Sequence, residues 1–441
     1  MNVTIVGAGS AGLLSALTIR QKIPDAVVTV IRDPNEPVIG VGEATVGSFL
    51  SMLRDNLGMD VVDFLEKVKP VIKYGVLYEF GKKDFHYTFD NAFDFQSYDK
   101  PLPQGFDFEG GNYGYTEYSK LMMKKSVGEH SGAVHVDNRL FLEYLENLSI
   151  KKNIIFIDDK IKSIQKKDDM IISLNDKYHA DYFIDCSGFK SVLSDEKFIS
   201  YSDSLVNDRA IFFRTKNKKR IKSYSHAITM NSGWLWVVDH TQGYSGNGYV
   251  YSSKYITDDE ALKELEKKYK KKIKDYKIIP FKTGRKERHW VGNVITIGNA
   301  DGFVEPLEAT SLMVILKSIQ LASMVIAYDD KKGDLIDRYN QFINEYYDLI
   351  RDFILIHMCF NNRINTKYWK DYSNRVDKLP KNSMGYDMLE YYLRNNTMIL
   401  FTSKFFNDVN PFSLDGWFQM YRGLIPTEKD RKKILQRLSC N

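Results

Sequence analysis

The chain opens on an unbroken apolar run, Val3 to Val6, followed at once by the glycine-rich VGAGSAG and then by apolar residues at helical spacing from Leu13 to Arg20. A short apolar run bounded by glycine predicts a buried strand, and the period behind it predicts a helix, so the start of the chain predicts a βα unit. Further strands are predicted in AVVTVIRDP, in VIKYGVLYEF at 71 to 80 and in VITIG ahead of Asn299. Pro306 fixes a turn in FVEPLEATSL and an apolar helix is predicted from Ala309 onward, placing Glu308, Thr310 and Ser311 at its N-terminus; another is predicted near Val46, with Thr45 as its cap. The tail from about residue 335 is rich in helix-forming and aromatic residues.

One position disturbs this pattern. VIKYGVLYEF carries Lys73 near its start. Lysine is rarely buried fully, and an alternating strand with a wet face would point it into water, so the residues alone read Lys73 as a surface group.

With 441 residues and 43% hydrophobic content the chain can bury a large core, enough for intertwined domains or one large domain with insertions. Its net charge of +5 is spread over 62 basic and 57 acidic residues, which gives no electrostatic case for nucleic acid; KNKKR at 216 to 220 and KKYKKKIK at 267 to 274 read as solvated faces. Cys186, Cys359 and Cys440 lie far apart without metal-ligand spacing, which fits a reducing compartment without disulfides. No signal peptide and no apolar run long enough to span a bilayer are present, so the expected location is the cytoplasm. Frequent lysine, asparagine, tyrosine and isoleucine with little proline is the bias of an AT-rich genome, viral or phage genomes among them.

Gly7, Gly9 and Gly12 form GxGxxG between the first strand and helix. Gly7 permits the tight turn, Gly9 lets the backbone approach a pyrophosphate, Gly12 allows close packing, and the free N–H groups near Ser10 and Ala11 face the anion. The position where a carboxylate would hold an adenosine ribose is occupied by Arg32; either Asp33, one residue later, substitutes through a local shift or the ribose is held otherwise.

VIGVGEATVGSF at 38 to 49, soon after this fingerprint, resembles the flavin-dependent halogenases of the tryptophan halogenase family. HVDNRLFLEYL (135 to 145), ADYFIDCSGFKSVL (180 to 193), LVNDRAIFFR (205 to 214), GWLWVVD (233 to 239), GNGYVYSSKY (246 to 255), WVGNVITIGNADGFVEPLEATSL (290 to 312) and RDFILIHM (351 to 358) follow in that family's order. The resemblance covers nearly all of the chain to about residue 370.

It implies an α/β fold: an FAD-binding Rossmann-like domain of the glutathione-reductase/hydroxylase type, built from 1 to 75, 130 to 200 and 280 to 330. Substrate-side insertions would occupy 76 to 129 and 201 to 279, and a helical region 331 to 441. FAD would contact Gly7, Gly9, Ser10, Ala11, Gly12, Asp33, Gly42, Glu43, Ala44, Thr45, Asp301 and Gly302. Reduced flavin and O2 would convert halide, through a flavin hydroperoxide, to hypohalous acid, which attacks an electron-rich aromatic substrate. By resemblance Lys73 lies at the end of a tunnel from the flavin and polarises the oxidant or forms a haloamine. Glu308 is its catalytic partner and takes the ring proton, while Glu305 reads as a structural turn residue. Backbone N–H groups at Thr310 and Ser311 would bind halide; family members usually carry glycine at the position of Ser311, which bears on halide choice. Trp234 and Trp236 share one strand face and match the start of the family's WxWxIP, whose Ile-Pro is replaced by Val238 and Asp239. The aromatic stretch from Tyr78 to Tyr118 suits both a wall for a planar substrate and the core of an inserted subdomain, and His86 within it reads as polar packing without a metal role. The chain holds no second complete GxGxxG, so a separate flavin reductase is expected to supply FADH2. A flavin monooxygenase or flavin-dependent reductase on the same scaffold is the alternative enzyme, and an FAD-binding protein without chemistry the non-enzymatic one. Halide, substrate and oligomeric state, a homo-oligomer included, are left open.

Overall fold

The computed structural model describes residues 1–36, 43–73, 75–89, 133–217, 221–328, 332–396 and 411–439. They form two compact units, each assembled from separated stretches of chain.

The first unit comprises Met1–Pro70, Val136–Ser200 and Gly284–Tyr347. Its six-stranded sheet runs in the order Trp290–Val291, Val294–Thr296, Tyr182–Asp185, Asn2–Val6, Val27–Arg32, Ile155–Asp158. All pairs are parallel except the hairpin at the Trp290 edge. Parallel strands are covered on both faces, and their sequences read as continuous apolar runs for that reason; Tyr182–Asp185 is buried at every position. The helix Ser10–Lys22 is buried along Gly12 to Ile19 because it is packed between the sheet, the helix Asn138–Lys151 and the helix Ser311–Ala327. Asp137 starts Asn138–Lys151 by accepting hydrogen bonds from the N–H groups of Arg139 (3.0 Å) and Leu140 (3.2 Å).

The second unit comprises Val71–His135, Tyr201–Thr283 and Asp348–Asn441. Its seven-stranded sheet has the order Tyr276–Pro280, Arg209–Lys216, Tyr244–Tyr251, Gly233–Asp239, Ser225–Met230, Gly75–Glu79, Phe85–Thr88. It is antiparallel apart from the pairing of Ser225–Met230 with Gly75–Glu79. One face carries Ile211, Phe213, Leu235, Tyr249 and Tyr251 against Ala261 and Leu265 of the helix Asp258–Tyr269. Alternation therefore puts Phe212, Trp234 and Trp236 on the other face. The C-terminal part of this unit is an aromatic core in which Phe353 stacks on Phe412 at 3.9 Å and meets Trp417 edge-on at 4.5 Å. The helix Lys332–Phe360 contributes its residues up to Tyr347 to the first unit and the rest to the second.

The α/β class is as expected, and two helix starts differ from the sequence reading. The helix near Val46 begins at Phe49 with Ser48 at its N-cap, so Thr45 is buried upstream of the cap instead of forming it. The apolar helix expected from Ala309 begins at Ser311, because Pro306–Glu308 form a 3-10 turn and Ala309 breaks off in the left-handed region at φ +56°.

Among the described residues no helix is long and apolar enough to cross a membrane.

Candidate active site

In the first unit the strand Asn2–Val6 ends in a turn at Gly7 with φ +109°, a conformation open to glycine. A Cβ at Gly7 would lie 2.4 Å from the Cys186 carbonyl oxygen, and one at Gly12 would lie 1.8 Å from the Gly7 carbonyl oxygen. The loop is thus closed onto its own helix as tightly as backbone permits. No side chain caps that helix at Gly9 and no acidic residue stands in its first turn. Orphan N–H groups, a positive dipole end and a backbone free of side chains fit a dinucleotide pyrophosphate at Gly7, Gly9, Ser10, Ala11 and Gly12.

At the end of the next strand Arg32 is engaged: its Nε donates to Asp158 (2.7 Å) and its Nη1 to Glu146 (2.7 Å). Asp33 follows, its Oδ1 accepting from the Asn35 N–H (2.9 Å), with Lys160 Nζ 3.5 Å from its Oδ2. The Asn35 N–H, with the Lys160 charge adding to it, holds this carboxyl below its usual range, so Asp33 is an ionised acceptor at the strand end. Ala44 closes a short strand, Glu43–Ala44, and Thr45 behind it is buried; Gly42 lies outside the described residues.

The segment after Val294–Thr296 returns to the glycine loop. Gly298, at φ +70°, packs so closely that a Cβ there would sit 2.8 Å from the Ala11 Cβ. Asp301 turns inward, 1% exposed, and its Oδ1 accepts from His289 Nδ1 (2.6 Å) and Thr296 Oγ1 (2.7 Å). Gly302 and Phe303 pair with the strand Gly284–Lys286. Glu305 (0% exposed) precedes the turn Pro306–Glu308 and Glu308 (1%) ends it, and both are buried. Thr310 is the N-cap of Ser311–Ala327, again with no side-chain cap and no acid in the first turn. Ser311 is an ordinary first helical residue, and Ala309 is the one in the conformation glycine favours.

In the second unit Lys73 lies on the strand Val71–Lys73 and is 1% exposed. The surface position suggested by composition gives way to full burial. Its Nζ stands 4.8 Å from the centre of the Phe89 ring. Lys73 pairs with Ala133 and Val71 with His135, so Lys73 and His135 are diagonal neighbours on one face of the strand pair. His135 is 0% exposed; its Nδ1 is 3.2 Å from the Asp239 carbonyl oxygen and its Nε2 is 2.9 Å from Ser225 Oγ. A carbonyl only accepts, so Nδ1 carries the proton and Nε2 accepts from the serine hydroxyl. Burial first, then the charges of Lys73 and His240, push the His135 imidazole well below its usual range. Lys73 therefore has a neutral ring beside it.

Trp234 is 1% exposed and Trp236 half-buried, on the same face as expected. Trp236 stacks on Phe212 at 5.9 Å and 28°. Gly248, directly opposite Trp236 across the strands, leaves room for the indole: a Cβ there would lie 2.2 Å from Trp236 Cε2 and Nε1. Gly248→Ala should therefore lift the indole off Phe212 without breaking the sheet, read as a red shift and loss of near-UV dichroism of Trp236 beside a Trp236→Phe control. Asp239, which stands where the family has proline, closes the adjoining loop by accepting from the Lys222 N–H (2.9 Å) and Ser245 Oγ (2.6 Å).

His86 is buried; burial, and then the His226 charge, push it down to about 4, so it is neutral at pH 7. No group of metal-binding side chains occurs among the described residues. Cys186 and Cys359 are buried free thiols, and Cys440, like the aromatic residues between 90 and 132, lies outside the described residues. Sequence reasoning missed His135, His289 and the glycine seat of Trp236. The only available signals were the histidines inside HVDNRLF and RHWVGN and the two glycines of GNGYVY.

The family model for tryptophan halogenase matches residues 2–424. The chain is 28% identical over 424 residues to the tryptophan 7-halogenase RebH of Lentzea aerocolonigenes, covering 83% of this chain and 78% of that protein. It is 29% identical over 419 residues to the tryptophan 7-halogenase KtzQ of Kutzneria sp. (strain 744), covering 84% and 78%. Among solved structures, the tryptophan 5-halogenase MibH superposes with a TM-score of 0.81 at 26% identity, over 99% of this chain and 89% of that one. A tryptophan halogenase from Shewanella frigidimarina shares the fold with a TM-score of 0.83 at 22% identity, over 100% and 95%. A closed glycine cradle in one unit, a buried lysine in the other and a family match over almost the whole length agree: the chain is an enzyme of the tryptophan halogenase family, the flavin-dependent halogenases.

Proposed function

We propose that this enzyme halogenates a small electron-rich aromatic compound in a two-component system, with reduced FAD delivered by a separate flavin reductase. The observation that carries the reading is Lys73, a lysine with 1% exposure on a strand beside an aromatic ring and a neutral imidazole. An amine is kept in such a place, against the cost of desolvation, where its chemistry is used.

Bound FADH2 with O2 supplies the oxidising power that turns halide into hypohalous acid. Gly7 to Gly12 hold the pyrophosphate, Asp33 holds the adenosine ribose, and Ala44, Thr45 and the Gly298–Gly302 turn border the flavin. The uncapped N-terminus at Thr310 and Ser311 binds halide. Lys73 donates to the hypohalous acid and directs its halogen at the ring, and Glu308 accepts the proton that the halogenated ring releases. Trp234 and Trp236 keep the organic substrate away from the flavin.

A reductase and this enzyme held in compartments joined by a membrane that passes only small molecules should still yield halogenated product, because FADH2 diffuses between them. NADH oxidation by this protein alone, with oxygen inserted in place of halogen, would defeat the proposal and favour a monooxygenase. Replacement of the family's Ile-Pro by Val238 and Asp239 is the observation that keeps that second reading in play.

A further inference from the structure

We propose that His289 and Asp301 form a buried ion pair that positions the Gly298–Phe303 turn against the flavin, with His289 acting through Asp301 as a positioning residue. The proposal rests on the flavin reading above.

His289 is 0% and Asp301 1% exposed, with 2.6 Å between Nδ1 and Oδ1. The other ring nitrogen, Nε2, lies 3.1 Å from Asn344 Oδ1. That amide is oriented by its own Nδ2, which donates to the Glu287 carbonyl (3.2 Å), so the oxygen faces His289. Both ring nitrogens thus face oxygens that accept, which suits an imidazolium between a carboxylate and an amide. The ring is held from every side. Asn340 Oδ1 accepts from the N–H groups of His289 (2.8 Å) and Trp290 (2.9 Å), the Thr296 N–H donates to the His289 carbonyl (2.8 Å), and the Tyr347 ring lies parallel to the imidazole at 5.9 Å and 13°.

Asp301 passes this rigidity to the turn. Its backbone carbonyl accepts from the Lys286 N–H (2.7 Å), its N–H donates to the Gly298 carbonyl (3.0 Å), and the Tyr347 hydroxyl donates to the Gly302 carbonyl (3.4 Å). The far end of the turn, Gly298, presses on Ala11 at the start of the pyrophosphate helix. A carboxylate turned inward therefore fixes, from behind, the backbone that meets the cofactor.

The test is equilibrium FAD binding, followed by flavin fluorescence, for wild type, Asp301→Asn, His289→Gln and Asn293→Ala. Asn293 is buried in the same unit and bonded to Ile171 (2.8 and 3.0 Å), so its loss weakens the fold without touching the turn. Asp301→Asn and His289→Gln should each raise the Kd for FAD roughly tenfold or more, and Asn293→Ala should lower Tm with Kd unchanged. Thr296→Val, which removes one donor to Asp301 and keeps the shape, gives the same readout in a milder form if either variant fails to fold. In 15N NMR of the wild type, the His289 signals, identified by their absence in His289→Gln, should show protons on both ring nitrogens. Equal Kd values in all variants, or a bare ring nitrogen, would overturn the proposal while leaving the flavin reading intact. A wild type that binds no FAD would end both.

Discussion

Lys73→Ala should abolish halogen incorporation, by about a thousandfold or more, while bound FADH2 is still oxidised by O2 at nearly the wild-type rate. The glycine cradle proposed to hold the cofactor belongs to the first unit and contains no part of the Val71–Lys73 strand, so cofactor chemistry should survive the change. On that proposal the change removes the donor that would hold and direct the oxidised halogen, and the oxidising equivalents left from O2 should escape as free hypohalous acid or hydrogen peroxide. Single-turnover experiments that score product, peroxide and flavin oxidation separate this outcome from a folding defect. Lys73→Arg keeps the charge but replaces a compact ammonium with a planar fork that does not deprotonate, and should rescue little.

The second large effect is expected at Gly12. A Cβ placed 1.8 Å from the Gly7 carbonyl oxygen cannot be absorbed by a side-chain rotation, since both partners are backbone. Gly12→Ala must push the helix Ser10–Lys22 away from the Gly7 turn, and with it the N–H groups that would face the pyrophosphate. FAD affinity should fall by about a hundredfold or more, with a stability loss of about 1 to 3 kcal/mol from overpacking. Gly243→Ala is the comparison: Gly243 has φ +84° with nothing within 4 Å of a Cβ, so the change strains the backbone alone. That variant should lose about 1 kcal/mol of stability and keep its FAD affinity. Equal FAD affinity in Gly12→Ala and wild type would remove the pyrophosphate assignment.

The contrast between these two positions shows what a sequence makes legible. Gly12 was readable because its partner, Gly7, is close in the chain, and strand, turn and helix follow one another in Asn2–Lys22. The shared face of Trp234 and Trp236 was readable from a period of two. Lys73 is not readable from its own surroundings: Phe89, Ala133 and His135 approach it only in the fold, and in the sequence family resemblance alone points to it. The seat of Trp236 depends on strand register with Gly248, and the role of Asp301 on His289 beyond an intervening hairpin, so neither partner is implied by local spacing. The helix at Ser311 starts two residues later than its apolar pattern predicts, because Ala309 adopts a left-handed conformation that propensity assigns to glycine. Any hydroxyl before an apolar run suits a cap, so Thr45 and Ser48 are equivalent in sequence, and only the start at Phe49 gives the position to Ser48.

One measurement decides between halogenation and its rivals. Wild-type protein, FAD, a flavin reductase, NADH and O2 would be incubated with phenols, indoles and anilines, with chloride or bromide supplied in turn, and the products weighed by mass spectrometry. The account predicts aromatic products carrying the isotope pattern of whichever halide is present and none when halide is omitted, with the pattern lost in Lys73→Ala. Products that gain oxygen regardless of halide, or halogenated products that persist in Lys73→Ala at the wild-type yield, would show that Lys73 does not do what its burial has been taken to mean.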